Sequence, residues 1–439
     1  MTHRLVCIAS LLAGLVLLPL PPATAAVLEL QQFQLIDGTG APLRPVQRLV
    51  AVDGRIVAID DAGAVPEQMP HQPWTRIDLG GAVVMPGLID THVHVARFPE
   101  TRARAKRILM AGIRGGVTAV RDLVGDARAL SDLAREVDTG EWLGPTIVYS
   151  ALFGGPDVFK GGPTAQMAPG MTPGTAAWAR QIDADTDFRA VLLEARGTGA
   201  RNIKIYGDLL PEQVNALTRE GHAAGMLVTA HGTVFPTKPS ELVAAGVDSL
   251  AHVPYLIWEA EDIVPDDYSA RIRGRWTEIP ADHPKLLALY RQMAARQVNL
   301  DATLFVYRNM QNYPGAPSAE WAKHAFIWGA EATRLAHQAG VPISTGTDWF
   351  EGLSEDAMPN THQELQLLVE HAGFTPMAAI VAGTRNGARA IGKADILGTL
   401  EVGKQLDALV LDANPLDDIQ NTQAIRRVIV RGELLSNRP

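Results

Sequence analysis

Met85-Pro86-Gly87-Leu88-Ile89-Asp90-Thr91-His92-Val93-His94 is the stretch on which the fold turns. Residues 88–95 form an apolar β-run carrying His92 and His94 two positions apart. Side chains at that spacing point to one face of a strand, so the two imidazoles project together. Imidazoles buried without partners cost desolvation free energy, and a divalent metal is a common partner. A lone His-x-His reads equally well as two hydrogen-bonded core histidines, so its meaning depends on the rest of the chain.

Apolar β-runs recur at 117–123, 145–150, 202–206, 227–231, 247–252, 298–303 and 342–347, which makes eight with the first. Helical patterns such as 211–224 and 322–338 separate several of them. This α/β alternation predicts a parallel (β/α)8 TIM barrel. The competitor, a doubly wound open sheet, lacks a Gly-x-Gly-x-x-Gly after an early strand. Short strands and turns occupy 27–84, where Asp53-Gly54 is a hairpin signal, and the same texture returns at 405–435. The expected organisation is a signal peptide at 1–25, a small β-sandwich domain from 26–84 and 395–439, and the barrel inserted between them at 85–394. Connections 152–178 and 255–284 are long enough to expect lids or binding segments.

Ionisable residues gather at the C-terminal ends of the later runs, which is the catalytic face of such a barrel. Lys204 interrupts Asn202-Ile203-Lys204-Ile205-Tyr206, where burial lowers the pKa of the amine towards neutrality. His231 ends the fifth run, His252 the sixth and Asp348 the eighth. The structural alternatives are a Lys204–Asp208 salt bridge, hydrogen-bonded core histidines, and Asp348 as a cap for the segment after it. Four strands ending this way are hard to assign to packing alone.

With these residues in place the chain resembles the amidohydrolase superfamily of metal-dependent hydrolases, over nearly all of the sequence after the leader. Pro86–His94 is a specific motif of that family, and His-x-His, Lys, His, His, Asp is the order of its binuclear members. The resemblance implies two divalent ions, with zinc the expected metal. It implies that His92, His94 and Asp348 hold the more buried ion and His231 and His252 the more exposed one. Lys204 would be carboxylated and bridge both, since a carbamate offers two oxygens where an ammonium has no lone pair. The implied reaction is hydrolysis by a metal-bridged hydroxide, with Asp348 as general base and then acid. The Ile-Lys strand and residues 382–392 resemble the prolidase-like dipeptidase branch, which implies an amide or peptide-like C–N bond in a dipeptide or N-acyl amino acid. An esterase or lactonase, a mononuclear deaminase and a non-catalytic periplasmic binding protein are the alternatives. Lys204 argues against the deaminase, and the intact ligand set against the binding protein.

Tyr206, Tyr255 and Arg308 follow the fourth, sixth and seventh runs and are candidates to orient a substrate carbonyl or carboxylate. Asp122, Tyr149 and Asp301 end runs two, three and seven and read equally as pocket lining or barrel support. His222, His283, His324, His337, His362 and His371 read as solvated or packed. The chain carries 39 Lys+Arg against 48 Asp+Glu with no basic block, which argues against a nucleic-acid partner and for a small-molecule substrate. A homo-oligomer is left open. Cys7 is the single cysteine, so a thiolate metal site and an internal disulfide are excluded. It lies in a leader with Arg4, an apolar run at 5–20 and Ala23-Thr24-Ala25. That leader predicts export to the periplasm or beyond, with no membrane span after cleavage.

Overall fold

Eight parallel strands succeed one another around a barrel: β1 (Leu88–Val93), β2 (Val117–Asp122), β3 (Thr146–Gly154), β4 (Asn202–Ile205), β5 (Leu227–His231), β6 (Ser249–Ala251), β7 (Asn299–Asp301) and β8 (Ile343–Ser344). This is a computed structural model describing residues 26–60, 62–65, 73–97, 102–311, 319–348 and 357–435; the leader expected at 1–25 lies outside them. Each strand pairs in parallel with the next. The circle closes through Thr91 N–H to the Thr345 carbonyl and Asp348 N–H to the His92 carbonyl, both at 2.8 Å. Strand burial on both faces follows from the enclosing helices, and it explains why these runs are apolar rather than alternating.

The strands coincide in order with the eight predicted runs and differ from them at their ends. β3 runs on to Gly154 because a ribbon at Thr175–Ala176 and Ala179–Gln181 pairs with Leu152–Gly154. β6 and β7 stop early because His252 and Thr303 take left-handed backbone, φ 69° and 52°. Asp348, at φ 54°, makes the same turn after β8. Such conformations are costly for non-glycine residues and cluster where a side chain must be aimed. Asp126 and Asp187 cap the helices Ala127–Asp138 and Phe188–Gly197 by accepting from Arg128 N–H and Ala190 N–H.

Strands from both chain ends form one nine-stranded mixed sheet. Ala408–Leu411 pairs antiparallel with Val83–Pro86, which leads directly into β1. Leu30, Phe33, Leu49, Val84, Val410 and Ile429 build its own apolar core. Beneath β1 to β3 the barrel floor is also apolar, where Ile89, Ala119 and Val148 meet Ala388, Ile391 and Leu397. Gly87 lies so close to Thr118 that a Cβ there would come within 2.2 Å of its hydroxyl. Among the described residues no helix is long and apolar enough to cross a membrane.

Candidate metal centre

The backbone turns at the strand ends bring four imidazoles together. Ring centroids lie 5.3 Å apart for His92 and His94, 4.9 Å for His92 and His252, and 4.8 Å for His231 and His252. Asp348 reaches in from the end of β8, with Oδ1 2.8 Å from His94 Nε2 and 3.4 Å from His92 Nε2. The donor atoms of His92, His94 and Asp348 all lie within 4.8 Å of one another.

What orients the rings is a set of acceptors behind them. His92 Nδ1 lies 3.0 Å from Asp301 Oδ2, His94 Nδ1 3.0 Å from the Val124 carbonyl, and His231 Nδ1 2.6 Å from the Tyr206 carbonyl. A carboxylate or carbonyl only accepts, so each of these nitrogens carries the proton and Nε2 is left as the donor atom. His252 Nδ1 is held at 3.0 Å by the Thr303 hydroxyl. Burial, reinforced by the Lys204 charge, keeps the His231 imidazole well below its ordinary pKa, so the neutral form is favoured. Burial likewise lowers His92 and His252, against the opposing field of Asp348. Burial opposes the charge of His94, yet its hydrogen bond to Asp348 raises its pKa. Burial would raise Asp348, but His92, His94 and His252 hold it below the usual carboxylate range. Imidazoles with tethered Nδ1 atoms, three of them held neutral by burial, and an ionised carboxylate are the donor set a divalent ion takes.

Lys204 is wholly buried and its amine has no hydrogen-bond partner among the described residues. Burial brings its pKa down to about 7, against the attraction of Asp301 and Asp348. Asp208 is not its partner: that carboxylate accepts from Asp157 N–H at 2.8 Å. A buried amine whose charged form is disfavoured and that has no hydrogen-bond partner among the described residues has no assigned structural role.

Around the imidazoles stands a group of phenols. Tyr206 lies 4.1 Å from His231, Tyr255 5.3 Å and Tyr307 6.2 Å from His252 (centroid distances), and Tyr268 stacks 5.7 Å from His231. Arg271 places its guanidinium 4.4 Å over the Tyr268 ring and donates to the Tyr268 carbonyl at 3.2 Å. Arg308 is not brought here. It is exposed and lies over Phe326, 5.5 Å from the ring centroid, because its helix turns Tyr307 towards the site and the next residue away. Tyr268 and Arg271 escaped sequence reasoning, although both lie in the long 255–284 connection. Asp301 faces the centre through His92. Tyr149 points outward to the Thr198 carbonyl, and Asp122 holds Val95 N–H just after His94.

The other described histidines lie away from this centre, some packed and some exposed. His362 is buried between Thr422 and the Gly115 carbonyl, His337 stacks on Phe374, and His222 meets Asp248. Arg121, wholly buried inside the barrel, bonds the Thr91 and Ala390 carbonyls and was not singled out from the sequence.

The profile of the amidohydrolase family matches residues 83–248 and 319–435. The chain is 27% identical over 449 aligned residues to an ochratoxinase of Aspergillus niger, covering 91% of this chain and 85% of that one. It is 27% identical over 391 residues to an imidazolonepropionase of Haloarcula marismortui, covering 82% of each. Its fold is similar to that of a Bifidobacterium longum protein provisionally assigned as a prolidase, with TM-score 0.71, 26% identity, and coverage of 94% and 95%. A family profile spanning both halves of the barrel, with relatives aligned over most of their length, leaves one conclusion: this chain is an enzyme of the amidohydrolase family.

Proposed function

We propose that the protein is an exported metal-dependent hydrolase cleaving the amide bond of a small acyl amino acid or dipeptide that carries a free carboxylate. The observation that carries the metal centre is the set of four imidazoles, each held through Nδ1, around a buried amine with no partner. His92, His94 and Asp348 would hold one divalent ion, zinc being the expected metal, and His231 and His252 a second. Lys204, carboxylated by carbon dioxide, would bridge them. Such ions supply Lewis acidity to a carbonyl oxygen and lower the pKa of water.

Asp348 is placed to take a proton from the attacking water and return it to the leaving nitrogen as the C–O bond forms and the C–N bond breaks. Arg271 supplies the fixed cation for a substrate carboxylate, with Tyr206 and Tyr255 lining the same region, and Tyr268 holding the guanidinium over its ring. Arg308 leaves this role to Arg271. The ochratoxinase and prolidase likenesses support a C–N bond. Arg4, the apolar run and Ala23-Thr24-Ala25 support export.

Protein purified in bicarbonate should carry two ions per chain and hydrolyse N-acyl amino acids or dipeptides faster than their carboxyl-amidated forms. Lys204→Ala should lose one ion and nearly all turnover. Fewer than one ion per wild-type chain, or full activity in Lys204→Ala, overturns the binuclear reading.

A further inference from the structure

The lower half of the barrel, away from the imidazoles, is divided. Its floor is apolar under β1 to β3, but a row of buried polar side chains crosses β5, β6 and β7. Thr229 is the register partner of Lys204 on one side and of Ser249 on the other, and Ser249 is the register partner of Asn299. Parallel partners share a face of the sheet, so the three side chains form a line inside the barrel that ends beside Lys204. All are at least nine-tenths buried. Thr229 Oγ1, Ser249 Oγ and Asn299 Oδ1 have no hydrogen-bond partner among the described residues. Asn202 and the Arg121 Nη2, on the same interior, are equally unpartnered.

The outer end of the row meets a cavity of about 520 Å³ at the face opposite the imidazoles, lined by Asp248, Ser249, Asn299, Arg296, Gln297 and Arg389 among others. Arg389 donates to Gln297 at 2.8 Å within that wall. Buried polar atoms are almost always satisfied. The chemistry of the row selects what satisfies these. The guanidinium and the amine only donate, the amide oxygens only accept, and the hydroxyls do both. An anion would leave the amide oxygens unmet, and a cation would repel Arg121. Water serves all of them, in a place polar enough to hold it.

We propose that this row is a hydrated passage joining Lys204 to solvent at the far face of the barrel, the route by which carbon dioxide reaches the amine and the released proton leaves. The hydration stands on the unpartnered row alone; the carbon dioxide traffic rests on the bridging role given to Lys204 above. On carboxylation the amine nitrogen forms a bond to carbon, one C=O π bond opens to give the carboxylate, and an N–H proton departs through the waters. Carbon dioxide is small and neutral, so a water-wide passage admits it while the larger substrate is confined to the opposite mouth.

The test has two arms. A high-resolution crystal structure of the holoenzyme should show ordered waters bonded to Thr229, Ser249 and Asn299, continuous with the far cavity; a dry row overturns the passage whatever the state of Lys204. In the second arm, holoenzyme is placed in 13C-bicarbonate and label at the Lys204 carbamate is followed by NMR. Ser249→Val, which fills the row, should slow labelling roughly tenfold, whereas Ser249→Ala should label at least as fast as wild type. A wild-type rate in a folded Ser249→Val overturns the route. If wild type never labels and shows no carbamate, the bridging role of Lys204 fails, while the crystallographic arm still decides the passage.

Discussion

Replacing Asp301 by Asn tests whether the acceptors behind the imidazoles set metal affinity. Asp301 Oδ2 lies 3.0 Å from His92 Nδ1, with both side chains essentially inaccessible to solvent. A hydrogen bond to a charged group contributes roughly 1.5–3 kcal/mol, against about 1 kcal/mol for a neutral one. Asn keeps the shape and a carbonyl oxygen, so Asp301→Asn removes the charge and leaves a neutral bond. The difference, about 0.5–2 kcal/mol, corresponds to a loss of roughly twofold to thirtyfold in affinity for the ion held by His92. Asp301→Ala removes the acceptor altogether and should approach about a hundredfold, the upper range for groups that orient a ligand. The assay is competition with a chromophoric chelator on bicarbonate-loaded protein, with metal counted per chain and folding followed by circular dichroism. If both variants fold and bind within twofold of wild type, the acceptor behind His92 does not tune the centre, and the reasoning fails.

Arg271→Met should lower kcat/KM for substrates with a free carboxylate by roughly tenfold to a hundredfold, the value of a charged hydrogen bond, and leave carboxyl-amidated substrates nearly unaffected; equal losses on both would remove Arg271 from recognition. Gly346→Ala would put a Cβ 2.1 Å from Asp301 Oδ1, so it should destabilise the fold by about 1–3 kcal/mol and weaken metal binding, read from urea midpoints and metal content. Burial takes His362 from 6.5 down to about 4. Between those values the unfolded imidazole binds a proton that the folded one refuses, so stability falls as pH drops through that window, by about 3 kcal/mol in all. His362→Asn should flatten that part of the stability profile, and an unchanged slope would exclude His362 as its source.

The barrel was legible because its evidence is local. Apolar runs of strand length alternating with helical periodicity need no knowledge of contacts, and eight of them in order specify the topology. His92, His94, Lys204, His231, His252 and Asp348 were equally visible, since each stands at or near the end of a run where a packed core has no use for it. Tyr268, Arg271 and the failure of Arg308 were not legible. They depend on how the 255–284 connection folds back over the strand ends, and a loop has no periodicity from which to read direction.

What the sequence by itself determined is the chemistry available: nitrogen and oxygen donors without a thiolate in the chain after residue 25, carried on strands whose order brings their ends to one face. What only the tertiary structure decided is which atoms of those residues face the centre. The Val124 and Tyr206 carbonyls, the Thr303 hydroxyl and the Asp301 carboxylate hold the imidazoles by their Nδ1 atoms, and the left-handed turns at His252 and Asp348 aim two side chains that regular strand geometry would send elsewhere. The same holds for the polar row beside Lys204. Thr229, Ser249 and Asn299 are unremarkable residues in three separate strands, and parallel register alone puts them in line. Hydrogen-bond acceptors and register partners come from distant parts of the chain, so no local pattern announces them, and they exist only once the barrel closes.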